Sequence, residues 1–73
     1  MNIIKTKDTS RIGNDCYINE SVSLVEQFGI YAVIVCEKVS GWAERTEVRV
    51  DHVSTDYDSA LRYFNDFVAI REN

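Results

Sequence analysis

The main candidate for metal chemistry is His52, which lies among acidic residues. Asp51 precedes it directly, and Asp56 and Asp58 follow within six positions. Histidine and carboxylates can together hold zinc or manganese, but such a site needs ligands that converge on one point and partners that orient them. The alternative is a histidine at a strand end, followed by acids that cap a helix. Because the spacing matches no metal motif, we favour this alternative and predict no metal and no cofactor.

The two cysteines, Cys16 and Cys36, are the candidates for thiol chemistry. A reactive thiol needs a nearby cation or a helix N-terminus, and the sequence places neither beside them. In apolar surroundings a free thiol usually acts as a small hydrophobic side chain, so core filling is favoured. A small activity that depends on a thiol at Cys36 or a metal at His52 is kept as an alternative. A first hairpin centred near Glu26 would set the cysteines opposite each other, where they could form a disulfide.

Trp42 and four tyrosines could stack on nucleobases. Tyr31, Trp42 and Tyr57 fall on positions that the strand and helix patterns assign to the core. Tyr17 and Tyr63 are predicted to be exposed, which is more typical of a contact with another protein.

The charge balance argues against nucleic acid as a partner. Twelve acidic residues against eight basic ones give a net charge of −4, and the basic residues are scattered singly. A surface that binds phosphates normally presents clustered lysine and arginine. An acidic inhibitor of a nucleic-acid enzyme is a second alternative. However, the acids of residues 45–51 alternate with arginines, which is typical of a salt-bridged surface.

No enzyme is predicted. The sequence contains no paired carboxylates, nucleophile–histidine–acid arrangement, glycine-rich phosphate loop or cofactor fingerprint. Residues 1–5 lack the features of a signal peptide, and no apolar run is long enough to cross a bilayer. We therefore expect a cytoplasmic protein with no membrane partner.

The central element of the predicted sheet is the run from Ile30 to Cys36. It is apolar on both parities, and such a strand is typically buried on both faces in the middle of a sheet. Residues 16–25 precede it and alternate, with an apolar side that Glu20 interrupts, which indicates a bulge or an edge position. Glu26 and Gln27 are predicted to turn the chain between the two strands.

The third predicted strand, within residues 42–53, follows a tight turn at Ser40-Gly41 and alternates between apolar and charged side chains. A two-residue turn would place Val39 opposite Trp42. The apolar side would then complete the core face, with Thr46, Val48 and Val50 opposite Val35, Val33 and Tyr31. On the reverse face, Ile34 would lie opposite Glu47 and Ala32 opposite Arg49. A three-residue loop with a bulge would shift this register by one.

Residues 54–71 are predicted to form a helix, because their apolar residues make one continuous stripe at helical spacing. The stripe consists of Tyr57, Ala60, Leu61, Phe64, Phe67 and Val68. Ser54 or Thr55 can cap the helix, and with Thr55 as the cap Asp58 completes a capping box.

These elements predict a single α+β domain over residues 1–73, in the order β-β-β-α. A three-stranded antiparallel meander spans residues 16–53, and one C-terminal helix packs on one of its faces. Residues 1–15 are expected to be partly irregular, although Ile3 and Ile4 could add a short strand.

One helix covers one face, so the other face of the central strand still needs a cover. Its residues are Ile30, Ala32, Ile34 and Cys36, and the N-terminal segment or a second copy of the chain could cover them. A chain of this length buries only a small core, so we expect a marginal monomer or part of an oligomer. The sequence therefore predicts a non-catalytic interaction module that pairs with itself, as a homodimer, or with another protein. The predicted contact is this face or a sheet edge, with Tyr17 and Tyr63 as further contact residues.

One stretch of the chain resembles a known group. Residues 28–35, the charged hairpin and residues 53–58, which open a helix with Leu61 and Phe64, look like short proteins from low-GC Gram-positive bacteria. That group is classified as a domain of unknown function. The resemblance covers residues 28–70 and not the N-terminal third. It implies a compact bacterial domain of unassigned role, and no functional residue carries over from it.

Overall fold

The computed structural model describes residues 1–41 and 44–72. The elements are β1 (Asn2–Asp8), β2 (Arg11–Gly13), β3 (Cys16–Gln27), β4 (Ile30–Gly41), β5 (Arg45–Ser54) and the helix α1 (Tyr57–Glu72). The strands form one antiparallel sheet in the order β1-β3-β4-β5, and β2 pairs with β3 beyond the end of β1. The predicted α+β class, with an antiparallel sheet and one C-terminal helix, is confirmed.

The predicted count of three strands is too low, because most of the N-terminal segment forms β1, which contains Ile3 and Ile4, and β2 along β3. All residues of β1 are exposed, so its sequence carries no alternation that would mark it as a strand. Between β1 and β2, Thr9 continues the pairing with β3 by donating its backbone N–H to the carbonyl of Glu20 at 2.8 Å. The register between β3 and β4 is unbroken at Glu20. The bulge or edge position predicted there is therefore also wrong.

The turn between β3 and β4 lies at Phe28 and Gly29, beyond the predicted Glu26-Gln27. The φ angles of Phe28 and Gly29 are 55° and 77°, as a type I′ hairpin turn requires. This register does not set Cys16 opposite Cys36, and both cysteines are free.

The predicted register between β4 and β5 is wrong, and the error moves the apolar side of β5 to the other face of the sheet. Val39 pairs with Arg45 rather than with Trp42, which lies outside the described residues. A shift by three positions is odd, so every side chain before the bulge at Asp51 changes face. The pairs on the face away from the helix are Ile34 with Val50 and Ala32 with Val53.

The core lies between α1 and the facing side of β3 and β4. Its buried residues are Val22, Leu24, Val33, Val35, Ala60 and Phe64. Around them pack the partly buried Tyr31, Leu61, Tyr63, Phe67 and Val68. Most of the apolar stripe predicted for the helix therefore lies in or beside the core.

The helix begins one turn later than predicted, with Asp56 as its N-cap. The Asp56 carboxylate accepts the backbone N–H of Asp58 at 3.2 Å, and Ser54 Oγ instead accepts the N–H of Asp56 at 2.9 Å. The cap predicted at Ser54 or Thr55 is wrong because three successive residues could each supply the capping oxygen.

Candidate interaction surface

The side of the sheet that α1 does not cover is called the open face. The strand register assigns it apolar residues from every strand: Ile3 of β1, Ile12 of β2, Tyr17 and Val25 of β3, Ile30, Ala32, Ile34 and Cys36 of β4, and Val48, Val50 and Val53 of β5. Serines and threonines fill the positions between them. Among the described residues of these strands, the charged side chains on this face are Asp8 and Lys38, both at its margin.

Much of the open face is accessible to water. Val48, Val50 and Val53 are 65%, 57% and 59% exposed. Within β4, Ile30 and Cys36 are exposed and Ala32 and Ile34 are partly buried. The prediction that residues 30–36 are buried on both faces is therefore wrong for a single chain. The N-terminal segment, which was one of the two expected covers, instead extends the sheet sideways.

The molecule is flat, and its surface is correspondingly large. Its Cα extents are 41 × 24 × 14 Å. The accessible surface is 5000 Å², whereas a compact monomer of this mass exposes roughly 4,600 Å². The exposed parts of the open-face side chains amount to roughly 600 Å², which is as large as the largest apolar patch of a typical monomer.

The predicted contact residues separate into two groups. The four from β4 lie together on the open face, as does Tyr17, which is exposed and pairs with Ser40 near the far end of the strands. Tyr63 lies on α1, on the opposite side of the sheet. It is partly buried against the core, so the prediction that it is exposed is wrong.

His52 and Asp51 form a structural cluster beneath the helix, whereas Asp56 and Asp58 lie apart at the helix N-terminus. The His52 ring stacks on Tyr63 with centroids 4.7 Å apart, and its Nε2 lies 3.4 Å from Ser59 Oγ. Tyr63 donates its hydroxyl to Asp51 at 3.3 Å, and Arg49 Nε donates to the same carboxylate at 2.7 Å. The pKa of Tyr63 is raised, mainly by burial. The charge of Asp51 and the hydrogen bond to Asp51 raise it further. Within residues 1–41 and 44–72, no three histidine, cysteine or acidic side chains are placed to hold a metal.

Glu20 is the centre of a second polar cluster, and its side chain lies on the helix side of β3. It is only 1% exposed. Its Oε1 accepts hydrogen bonds from Thr9 Oγ1 at 2.8 Å, Arg11 Nη1 at 3.0 Å and Arg71 Nε at 2.8 Å. Arg11 also lies 3.7 Å from Glu37, the residue opposite Glu20 on β4. The carboxylate therefore joins the N-terminal strands, the sheet and the end of the helix.

The protonation of Glu20 reflects two opposing effects. Burial alone would raise its pKa, but hydrogen bonds from Arg71 and Thr9 and the charges of Arg71 and Arg11 outweigh it and lower the pKa. Its Oε2 is buried and accepts no hydrogen bond from the described residues. Because this atom is enclosed, the cluster is better suited to holding the fold together than to binding a ligand.

Sequence reasoning missed part of the open face. Val48 and Val50 were recognised as an apolar side, but the assumed turn length placed them in the core. Val53 and Ile3 share the face only through the bulge in β5 and the pairing of β1. The missing information was the register with β4: pairing Val39 with Arg45 moves the valines beside Ile34 and Cys36.

Comparison with known proteins adds no relative. No family model, curated protein or solved structure matches the chain. The resemblance to a group from low-GC Gram-positive bacteria stays a prediction. In the part of the chain that the structure describes, no helix is long and apolar enough to cross a membrane.

Proposed function

We propose that the protein is a non-catalytic interaction module and that the open face is its contact surface, covered by the open face of a second copy. The observation that carries the proposal is the continuous apolar surface on β4 and β5. Ile30 and the three valines of β5 are exposed, Ile34 is partly buried, and the charged side chains known on this surface lie at its margin. Apolar patches of this size on small domains usually mark contacts with other proteins.

The area of the patch fits a homodimer. Two open faces would together remove about 1,200 Å² from water, which is the lower end of the range for specific interfaces. Two twisted sheets can stack with about 10 Å between them and interdigitate their side chains. The same face serves both partners, as a two-fold axis requires.

The small core supports the same proposal. Among the described residues, six form the buried cluster between the sheet and the helix, and domains of this size often depend on association for stability. The acidic residues do not form a row that would mimic nucleic acid. Glu20 and Glu37 pair with arginines, and Asp51 pairs with Arg49. This distribution favours an interaction module over an acidic inhibitor.

The experiment is sedimentation of the wild type and variants across about 1–100 µM, the range in which interfaces of this size usually associate. We expect the wild type to be at least dimeric at the upper end. Ile34→Glu should weaken the dimer more than tenfold, because it would bury a carboxylate without a partner. Val53→Glu, at a more exposed position, should do the same.

The matched control is Asn65→Glu, which adds the same charge on the exposed side of α1. It should leave the dimer intact. A wild type that stays monomeric throughout the range would contradict the proposal. So would an Ile34→Glu variant that is folded by circular dichroism and associates like the wild type.

A further inference from the structure

The outer edge of β5 is a second surface suited to association. Within the described part of the chain, β5 pairs with β4 on one side and with no strand on the other. It extends from Arg45 to Ser54, contains no proline, and stays regular up to the bulge at Asp51. Such an edge presents unpaired backbone N–H and C=O groups to any strand that approaches it.

The side chains on the helix side of β5 alternate in charge. Arg45, Glu47 and Arg49 follow one another at every second position, and Asp51 comes next. Arg45 bonds to Glu37 at 3.1 Å and Arg49 to Asp51 at 2.7 Å, while Glu47 makes no ion pair with the described residues. Both arginines are partly accessible, so they remain within reach of a neighbouring strand.

This pattern is complementary to itself when the strand is reversed. Antiparallel pairing of two β5 strands about Val48 sets Glu47 opposite Arg49 of the second copy, and Arg49 opposite its Glu47. At both ends Arg45 approaches Asp51, the bulge residue, whose charge is also opposite. Opposite charges at directly facing positions stabilise an antiparallel pair.

The neighbouring registers lack this complementarity. A shift that centres the pair on Glu47 sets Glu47 opposite itself and Arg45 opposite Arg49. A shift that centres it on Arg49 sets Arg49 opposite itself and Glu47 opposite Asp51. Like charges at facing positions are destabilising, and an odd shift would set helix-side residues opposite open-face residues. Registers centred on Thr46 or Val50 also set opposite charges against each other, but they align fewer of the four charged positions. The charges therefore favour the register about Val48.

We propose that the β5 edges of two copies pair antiparallel about Val48 and join two sheets into one. Charges on an edge strand normally discourage pairing with other chains. Here the order of the charges gives repulsion with most other strands but attraction with a second copy of β5. The paired strands also carry Thr46, Val48 and Val50 across the junction, so the open face becomes continuous between the two chains. The inference does not depend on stacking of the open faces.

The test uses the full chain with Ile34→Glu, so that stacking of the open faces is blocked. In this background, sedimentation should still detect a dimer, which should require higher protein concentrations than association of the wild type. Glu47→Arg and Arg49→Glu should each weaken it at least about tenfold, since two attractive pairs become repulsive. Mixing these two variants should restore association, because the two arginines of one chain would then face the two glutamates of the other. The double variant, Glu47→Arg with Arg49→Glu, should associate with itself.

A cross-link provides a readout that does not depend on the charges. In the same Ile34→Glu background, Val48→Cys with Cys16→Ser and Cys36→Ser should form a disulfide dimer on addition of an oxidant, because residue 48 faces itself within disulfide range. Thr46→Cys, which would face Val50, should cross-link at least tenfold more slowly. Equal rates, or folded charge variants that associate like their parent and gain nothing on mixing, would overturn the proposal.

Discussion

Removal of Arg71 tests how the buried carboxylate of Glu20 is stabilised. Arg71→Met keeps most of the aliphatic length of the side chain and removes its charge. The variant leaves Glu20 with Thr9 and Arg11 as its remaining partners. Glu20 is enclosed, whereas the side chain of Arg71 is 28% exposed. Loss of Arg71 therefore leaves a carboxylate that stays buried, whereas loss of Glu20 leaves an arginine that water can reach.

The expected magnitude follows from the 2.8 Å separation of Arg71 Nε and Glu20 Oε1. At an effective dielectric constant of about 20, the gross attraction is roughly 6 kcal/mol. Breaking a buried pair typically costs about 3–5 kcal/mol. Since Arg11 and Thr9 remain, we expect Arg71→Met to lower the free energy of unfolding by about 2–3 kcal/mol at pH 7.

Removal of the acid should have a smaller effect. Glu20→Met replaces the buried carboxylate with an apolar side chain, and the partly exposed Arg11 and Arg71 can then be hydrated. Loss of one partner of a buried pair is costly when the remaining charge stays buried, but these arginines can reach water, so we expect a change within about 1 kcal/mol. Arg62→Met, on the exposed side of the same helix, is the control for loss of a helical arginine and should change stability by less than about 0.5 kcal/mol.

The pH dependence gives an independent check. The pKa of Glu20 in the folded wild type lies below its ordinary value of 4.5. Its ionisation therefore stabilises the fold above that value, and the contribution is lost as the pH falls through the folded pKa. In Arg71→Met the folded pKa should rise, because burial is opposed by fewer partners. The difference between variant and wild type should thus shrink from pH 7 to pH 3.

The assay is urea unfolding followed by circular dichroism at fixed protein concentration, since association would also contribute to the measured stability. The reasoning is refuted if Arg71→Met unfolds within about 0.5 kcal/mol of the wild type. It is also refuted if Glu20→Met is the more damaging of the two changes.

Two further predictions concern local backbone conformation and use the same assay. Phe28 is 90% exposed and has a φ of 55°, so Phe28→Asn should raise the free energy of unfolding by about 1 kcal/mol, because asparagine followed by glycine suits this turn. No gain would contradict that reading of the turn. Asp56→Ala should lower it by about 1 kcal/mol through loss of the N-cap bond, whereas Asp66→Ala on the exposed side of the helix should have little effect.

The sequence predicts those elements whose own residues show a clear pattern of apolar side chains. The stripe of α1 and the apolar run of β4 each specify their structure locally, and both lie within the observed elements. β1 could not be predicted in the same way, because an edge strand that is exposed on both sides needs no alternation. Its position depends on backbone hydrogen bonds to β3, which side-chain types do not reveal.

The face of the sheet on which the valines of β5 lie depends on the register between β4 and β5. A change of turn length by an odd number of residues exchanges the two sides of a strand, so Val48 and Val50 read equally well as core or as surface. The cluster at Glu20 depends on partners that are distant in sequence. Arg71 lies 51 residues away, and the pattern around Glu20 alone indicates only a disruption.

The ion pairs at Glu20 also connect the opening and closing segments of the polypeptide. Thr9 and Arg11 reach the carboxylate from one side and Arg71 reaches it from the other, while Lys7 pairs with Glu72 at 3.5 Å. Fraying at either terminus therefore loosens the other. The amide protons of β1 and β2 and those of the last turn of α1 should exchange with solvent as one cooperative unit, although nearly the whole chain separates them.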